Sequence, residues 1–342
     1  MTLVTPLVVS KLTKAVPLPE PTPPLMADVA MLDSVISTSS VVPLVVLGPT
    51  ASGKSDVAMA FATLFSGCEI VAVDSMQVYR GMDIGTAKPT ESDREQVPHH
   101  CLDLVDPSEE FTVAAFAAAA SSAMGAIGAH GARAVLVAGT GLYLRAITDP
   151  MEMPGQWPDV RAALEERAEA EGPEALYAEL VAADPTAAAR IEPANARRIV
   201  RALEVVLGSG RLFSSFGPGL DHYPAIDMVQ VGLRWNRDVL ARRIEERVHR
   251  MVAGGLLAEV AALWDGGRGA LSRTARQALG YKEVIEHLEG QCSADAAVDA
   301  IVLRTRQFAV RQERWFRRDP RVRWVDIEHD PVAEVLPVIE GL

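Results

Sequence analysis

Residues near position 50 carry a pattern that could bind a phosphate group. Gly48 and Gly53 are separated by four residues, and Lys54 and Ser55 follow directly. The glycines let several backbone N–H groups point inward, the lysine adds a positive charge, and the serine hydroxyl can bind Mg²⁺. An apolar run ends at the first glycine and a helical pattern follows the second, so a helix N-terminus would also favour an anion. We interpret residues 48–55 as a phosphate-binding loop that holds either a nucleotide or another diphosphate.

Hydrolysis at this loop would require a further acidic residue. Enzymes that hydrolyse nucleoside triphosphates normally carry an acid at the end of a later strand, where it holds Mg²⁺ and orders water. The third apolar run, "RAVLVAGTGLYL" at 133–144, reaches Gly-Thr-Gly without an acid. This pattern argues against ATP hydrolysis.

Asp74 is the acid that follows the second apolar run, "EIVAVDS" at 69–75. Three roles suit it: a ligand of Mg²⁺, an acceptor of a proton from a substrate, or a cap of the following turn. Ser75, Gln77 and Tyr79 come directly after it. Such a dense polar set at a strand end favours substrate recognition over capping alone, and a glutamine amide suits the edge of an adenine base.

Strand and helix patterns alternate along most of the chain. Short apolar runs typical of buried parallel strands are separated by helical segments, which predicts an α/β fold with a P-loop NTPase-like parallel sheet flanked by helices. Further strands are predicted at 228–235 and in "VRWVDIE". The candidate segments at 48–55, 74–79 and 139–141 all follow predicted strands. Ligands of such folds gather at the carboxyl ends of the strands, so we expect these segments to lie together.

Three parts of the chain differ in composition. Residues 1–40 contain the proline-rich stretch "PLPEPTPPL", which predicts a disordered extension. Residues 151–215 are rich in Ala, Glu and Leu without runs of β-branched residues, which predicts several short helices in an inserted helical subdomain. Residues 41–150 and 216–342 would then form the α/β core with its C-terminal helices.

Composition narrows the class of protein. No apolar run reaches the ~18 residues of a membrane span. The three cysteines form no CxxC pair, so neither a disulfide framework nor a cysteine-based zinc site is indicated, and we expect a cytoplasmic protein. Nothing in the sequence suggests more than a monomer. Zinc is also not favoured at "PHHCLD" (98–103), because adjacent histidines point in diverging directions and no second ligand pair is evident.

Positive charge is concentrated in two segments, although the formal net charge is −12. Residues 304–323 hold eight arginines and only two acids, and residues 190–205 contain Arg197, Arg198 and Arg201. Local potential, rather than net charge, decides whether a polyanion can bind. These segments therefore permit a nucleic-acid partner despite the acidic average.

Eight motifs, in order along the chain, resemble the bacterial tRNA isopentenyltransferase (tRNA dimethylallyltransferase) family. They are "GPTASGKS" (48–55), "DSMQVYRGMDIGTAKP" (74–89), "PHHCLD" (98–103), "AGTGLYLRA" (138–146), "NARRIVRALEV" (195–205), "RIEERVHRM" (243–251), "QALGYKE" (277–283) and "TRQFAVRQERWFR" (305–317). The sequence departs from the family pattern at Ala138, where a glycine is usual, and at Val310 and Arg314, where Lys and Thr are usual. The last two departures weaken the transfer of individual roles to that final segment.

The resemblance implies an enzyme that transfers a dimethylallyl group from dimethylallyl diphosphate to N6 of the adenosine adjacent to the anticodon of tRNA. The loop would hold the diphosphate leaving group with Mg²⁺, so that no water-ordering acid is needed. Asp74 would be the general base, and the other catalytic residues would be Thr50, Lys54 and Thr140.

The resemblance also implies which residues bind each substrate. The diphosphate would be bound by Gly48, Pro49, Thr50, Ala51, Ser52, Gly53, Lys54, Ser55 and Arg247, with Ser55 as the metal ligand. The tRNA anticodon stem-loop would be bound by Asp74, Ser75, Met76, Gln77, Thr140, Arg161, Arg197, Arg198, Arg201 and Arg276. Tyr281 and Lys282 would line the RNA groove or stabilise a turn.

Two other functions compete with this interpretation. A small-molecule kinase would share the phosphate loop and an acid after the first helix, but it predicts ATP binding and has no need of the arginine-rich segments. An RNA-binding regulator without catalysis would keep the arginines but has no reason to combine Lys54 with Asp74. The full set of motifs favours the transferase.

Overall fold

The fold is built on a six-stranded parallel sheet in the order β3-β2-β4-β1-β5-β6. A computed structural model describes residues 42–217, 219–220, 222–264 and 271–341, so the extension predicted at 1–40 lies outside the described residues. The strands are β1 (Leu44–Leu47), β2 (Cys68–Val73), β3 (His99–His100), β4 (Arg133–Ala138), β5 (Val229–Trp235) and β6 (Val322–Ile327). The predicted α/β class is confirmed. The sequence patterns missed β3, which is only two residues long.

Helices occupy most of the remaining described chain. They are α1 (Lys54–Leu64), α2 (Glu91–Gln96), α3 (Val113–Ala129), α4 (Gly141–Thr148), α5 (Pro158–Glu171), α6 (Pro173–Ala183), α7 (Pro185–Ala188), α8 (Ala196–Ser209), α9 (Arg237–Ala253), α10 (Leu256–Trp264), α11 (Arg273–Arg276), α12 (Tyr281–Leu288), α13 (Ala294–Phe316) and α14 (Pro331–Glu340). A 3₁₀ turn spans Phe213–Ser215. Within the described ranges, no helix is long and apolar enough to cross a membrane.

The strand register brings three loops to one edge of the sheet. Ala138 at the end of β4 pairs with Leu47 of β1 on one side and with Val73 of β2 on the other. β1 and β2 are almost wholly buried, as expected for central parallel strands covered on both faces. The segments that follow these three strands therefore begin side by side.

Helices α5 to α8 surround a hydrophobic cluster of their own. Its largest fully buried members are Leu176, Leu180 and Ile199, and it is separate from the cluster around the sheet. This second core supports the view that residues 151–215 form an inserted subdomain, which we retain as a proposal.

Arginine side chains attach the segment that returns from these helices to the core. Arg145 of α4 donates hydrogen bonds to the carbonyl oxygens of Leu220 (2.9 Å) and His222 (2.6 Å). Arg321 donates to Asp149 (2.7 Å) and to the carbonyl oxygen of Pro224 (2.9 Å). These bonds satisfy backbone groups that the irregular segment leaves unpaired.

The long helix α13 packs tightly over the turn at the end of β4. A Cβ atom added to Gly141 would lie 2.1 Å from Cδ1 and Nε1 of Trp315. The indole ring therefore occupies the space that any larger residue would need, and a glycine is required for this close approach.

Gly141→Ala is accordingly expected to lower the free energy of unfolding by about 1–3 kcal/mol, the usual cost of overpacking. Denaturant unfolding of the two proteins measures this difference. Gly341→Ala is the matched control, because a Cβ atom there would meet nothing closer than 3.7 Å. Equal stability of Gly141→Ala and the parent chain would contradict the tight packing of α13 on this turn.

Candidate active site

The phosphate loop has the backbone conformation that its glycines predict. Gly53 (φ 91°) and Ala51 (φ 61°) are left-handed, and α1 begins at Lys54, within the loop segment 48–55. A Cβ atom on Gly53 would lie 2.5 Å from Cγ of Pro331, and one on Gly48 would lie 2.9 Å from the carbonyl oxygen of Leu233. Both glycines are therefore needed for conformation or for close packing.

Two side chains donate hydrogen bonds to carbonyl oxygens of the phosphate loop. Trp235 Nε1 donates a hydrogen bond to the carbonyl oxygen of Ser52 (2.9 Å), and Arg243 Nε donates one to that of Ala51 (2.9 Å). The Arg243 guanidinium also lies over the Trp235 ring, 4.4 Å from its centre. Because the C=O and N–H of a trans peptide point in opposite directions, the bond to Ser52 directs the Gly53 N–H away from Trp235. Neither Trp235 nor Arg243 was identified as a site residue from the sequence.

The site carries two half-buried basic side chains, Lys54 and Arg247. Burial, followed by the neighbouring Arg247 guanidinium, lowers the pKa of Lys54 to about 7, although Asp74 and Asp56 oppose the shift. Burial likewise lowers the pKa of Arg247 against the same two carboxylates. Lys54 Nζ donates to the carbonyl oxygen of Pro49 (2.8 Å), which keeps the ammonium at the loop. An anion that binds here would stabilise the charged forms of both side chains.

Asp74 caps its turn and also faces the charged cluster. Its Oδ1 accepts hydrogen bonds from the N–H groups of Met76 (2.8 Å) and Gln77 (3.4 Å). Its Oδ2 lies 3.5 Å from the position that a Cβ atom on Gly139 would occupy, and Lys54 Cε lies 4.0 Å from the same position. Capping therefore uses Oδ1, while Oδ2 lies on the side of Gly139 and Lys54.

The ends of β2 and β4 are joined through Thr140 and Ser75. The Ser75 N–H donates to Thr140 Oγ1 (3.2 Å), and the N–H groups of Gly139 and Thr140 both donate to the carbonyl oxygen of Val73 (3.2 and 3.3 Å). The structure thus brings together the phosphate loop, Asp74 with Ser75, and Thr140, as the positions of their strands predicted.

Gln312 of α13 is a residue of this cluster that the sequence analysis did not single out. Its Oε1 accepts a hydrogen bond from the Thr50 N–H (2.8 Å), and its Nε2 donates one to the carbonyl oxygen of Gly139 (2.8 Å). Its presence in the motif at 305–317 was the available signal. Thr50 is 262 residues away in the chain, so no local pattern could indicate the contact.

The segment after Asp74 is held in place by its own hydrogen bonds. Gln77 Nε2 donates to the carbonyl oxygens of Thr86 (3.1 Å) and Ala87 (3.2 Å). The buried Lys88 ammonium contacts both Asp83 and Asp103 at 2.6 Å. The Gln77 amide nitrogen is therefore engaged by the main chain of the following turn.

Tyr281 does not line a surface groove. It is 0% exposed, and its hydroxyl donates to Glu259, whose carboxylate also accepts from the N–H groups of Asp83, Ile84 and Gly85. Of the two alternatives for Tyr281, the structure favours the second, because the buried ring supports the loop that follows Asp74 instead of lining a groove.

The arginines predicted to contact tRNA lie outside this cluster. Two of them are exposed, and the other three form ion pairs within the protein. Arg197 and Arg198 are exposed on α8. Arg161 and Arg201 both bind the buried Glu204 carboxylate, at 2.7 and 2.9 Å. On α11, Arg276 pairs with Glu289 (3.0 Å) and lies over the Trp264 ring. Three of these five guanidinium groups are thus held in defined orientations by internal ion pairs.

The residues that could hold a metal ion are few. Among the described residues, no group of three or more His, Cys, Asp or Glu side chains could hold one. In "PHHCLD", His100 forms a hydrogen bond with Glu69 (2.6 Å), and Asp103 accepts one from Lys88. These two side chains therefore take part in interactions within the protein. Ser55 is exposed at the start of α1 next to Lys54, so its hydroxyl is suited to share a Mg²⁺ ion with phosphate oxygens and water.

Comparisons with known proteins agree on one family. The family model "IPP transferase" matches residues 77–319, and the model "Isopentenyl transferase" matches residues 42–104. The chain is 47% identical over 287 residues to a tRNA dimethylallyltransferase of Geobacter metallireducens, covering 83% of this chain and 92% of the relative. It is 48% identical over 282 residues to the Streptomyces coelicolor enzyme of the same name, covering 82% and 89%.

Solved structures similar to this chain belong to tRNA isopentenyl- and dimethylallyltransferases. The full-length tRNA isopentenylpyrophosphate transferase of Bacillus halodurans matches with a TM-score of 0.62 and 38% identity, over 87% of this chain and 95% of that one. A eukaryotic dimethylallyltransferase, solved acting on tRNA, matches with a TM-score of 0.70 and 27% identity, over 84% of this chain and 74% of that one.

Proposed function

The chain belongs to the IPP transferase family of tRNA dimethylallyltransferases, and on this premise we propose that it transfers a dimethylallyl group from dimethylallyl diphosphate to N6 of the adenosine adjacent to the anticodon of tRNA. The products would be N6-(dimethylallyl)adenosine and diphosphate. The observation that carries the proposal is the convergence of Lys54, Asp74 and Gln312 on the turn at Gly139, which sets an anion site beside a carboxylate.

The phosphate loop stabilises the leaving group. As the bond between C1 of the allyl group and the diphosphate oxygen breaks, its electron pair and negative charge move to the diphosphate. Loop N–H groups, Lys54 and Arg247 stabilise that charge. Burial first, and then the neighbouring Arg247 guanidinium, lowers the pKa of Lys54, so a bound anion favours its charged form. Mg²⁺ held by Ser55 would add Lewis-acid stabilisation of the diphosphate.

Asp74 accepts the proton released by the amine. The N6 lone pair forms the new bond to C1, which makes the N6 proton acidic, so a carboxylate is a sufficient base late in the reaction. The cap on Oδ1 orients the carboxylate, and the other oxygen faces the cluster. Thr50, whose N–H bonds to Gln312, and Thr140, whose hydroxyl bonds to the Ser75 N–H, would contact the reacting groups.

The tRNA reaches the site by releasing one base from its stack. Unstacking costs a few kcal/mol and less in a loop than in a duplex. Ser75, Met76 and Gln77 follow the general base Asp74 in the chain and would read the edge of the adenine. Phosphate contacts from Arg161, Arg197, Arg198, Arg201 and Arg276 would supply binding free energy. We also propose that the enzyme acts as a monomer in the cytoplasm.

Transfer of label from the donor tests the function. The purified chain is mixed with Mg²⁺, labelled dimethylallyl diphosphate and an unmodified tRNA that carries adenosines directly after its anticodon, and a parallel reaction receives labelled ATP. Label in the tRNA supports the transferase. Consumption of ATP without transfer from the allyl donor would instead indicate the kinase, and would leave the arginine-rich segments without a function.

A further inference from the structure

The Gln312 side chain joins the two halves of the proposed site. It accepts a hydrogen bond from the Thr50 N–H in the phosphate loop and donates one to the carbonyl oxygen of Gly139, both at 2.8 Å. Gln312 is only 8% exposed. One buried amide therefore spans the loop that would hold the diphosphate and the turn that carries Thr140.

This bridge is specific to an amide. A glutamine amide combines an acceptor and a donor at a fixed separation, and here each bonds to the main chain. Gln312 Nε2 lies 3.6 Å from the position that a Cβ atom on Gly139 would take, next to Asp74 Oδ2 at 3.5 Å. The amide thus borders the proposed base, although no step of the proposed reaction requires its chemistry.

Packing of α13 does not depend on this amide alone. One turn further along the helix, Trp315 fills the space above Gly141, and the neighbouring Phe316 is buried in the main hydrophobic cluster. These contacts would hold the helix in place if the amide were replaced. The amide therefore contributes a defined separation between two backbone segments rather than the docking of the helix.

We infer that Gln312 is a positioning residue, which sets the distance between the diphosphate loop and the turn at which Asp74 and Thr140 receive the amine. The inference rests on the proposed function. Displacement at C1 needs the attacking nitrogen within about 3–3.5 Å, and a misplacement of about 1 Å can cost roughly 10²-fold in rate. Loss of the bridge should therefore lower the rate of transfer more than it weakens binding of either substrate.

Two substitutions separate positioning from general stability. Gln312→Met removes both hydrogen bonds at similar volume. Gln312→Glu keeps an acceptor for Thr50 but loses the donor when it is ionised, whereas the protonated acid regains a donor and restores both bonds. Thr305→Ala is the control, because Thr305 lies two turns earlier on α13 and is similarly buried, at 9% exposed.

The measurements are single-turnover transfer of labelled dimethylallyl to tRNA, KM for each substrate and thermal unfolding, from mildly acidic to mildly alkaline pH. We expect Gln312→Met to reduce the transfer rate by about 10²-fold with smaller changes in KM. The rate of Gln312→Glu relative to the parent chain should rise as pH falls, since protonation restores the bridge. Thr305→Ala should transfer at the parental rate.

Two outcomes overturn the inference while leaving the proposed function intact. One is an active parent chain with Gln312→Met within about two-fold of its rate. The other is a relative rate of Gln312→Glu that does not change with pH, and this test remains decisive if the Met variant fails to fold. A parent chain that moves no label from the donor overturns the proposed function itself, and this inference with it.

Discussion

Asp74→Asn is expected to reduce transfer by about 10²- to 10⁴-fold, the usual contribution of a general base. The asparagine keeps an oxygen that can accept from the Met76 and Gln77 N–H groups, so the turn persists while the base is lost. Binding of tRNA should change little, because the asparagine keeps the size of the Asp74 side chain and the arginines proposed to bind the tRNA phosphates lie elsewhere. Single-turnover transfer and a separate tRNA binding measurement distinguish the two effects.

The matched control for this substitution is Asp56→Asn. Asp56 acts on the same two cations, Lys54 and Arg247, so its substitution removes a similar charge without touching the proposed base. A deficit confined to Asp74→Asn supports proton acceptance. Near-parental turnover of Asp74→Asn would reduce Asp74 to a cap of its turn, one of the roles that the sequence allowed.

Lys54→Met is expected to reduce kcat/KM for dimethylallyl diphosphate by about 10²- to 10³-fold, comparable with loss of one preorganised donor at a developing anion. The methionine retains the length of the side chain but lacks the charge. Arg242→Met is the control, since that arginine is an exposed cation on α9 to which no role in binding either substrate is assigned. Comparable losses in both variants would show that the effect is not specific to the loop.

Proton uptake provides a second test of Lys54. Its pKa of about 7 means that the side chain is mostly neutral in the free protein above that pH. A bound diphosphate favours the ammonium and raises the pKa, so donor binding should take up a proton above pH 7 and little below it. Calorimetry in buffers of different ionisation enthalpy measures this uptake. Uptake that persists in Lys54→Met would assign the titration to another group.

The sequence by itself determined the parts of this protein that depend on local pattern. The apolar runs of β1, β2 and β4 predicted buried parallel strands, and parallel strands place their carboxyl ends at one edge. The phosphate loop, Asp74 and Thr140 follow those strands, so their proximity could be predicted before any contact was known. Glycine spacing likewise indicated the loop, since its backbone conformation is a property of a few consecutive residues.

Tertiary structure alone decided which distant side chains complete the site. Gln312 reaches Thr50 across 262 residues, and Trp235 and Arg243 hold the loop from separate elements. Tertiary structure also decided that Tyr281 is buried. An aromatic residue next to a lysine is equally compatible with a surface position and with the core. Packing brings such residues together through contacts that have no period along the chain, and the side chains that fix a reactive geometry are therefore visible only in the folded protein.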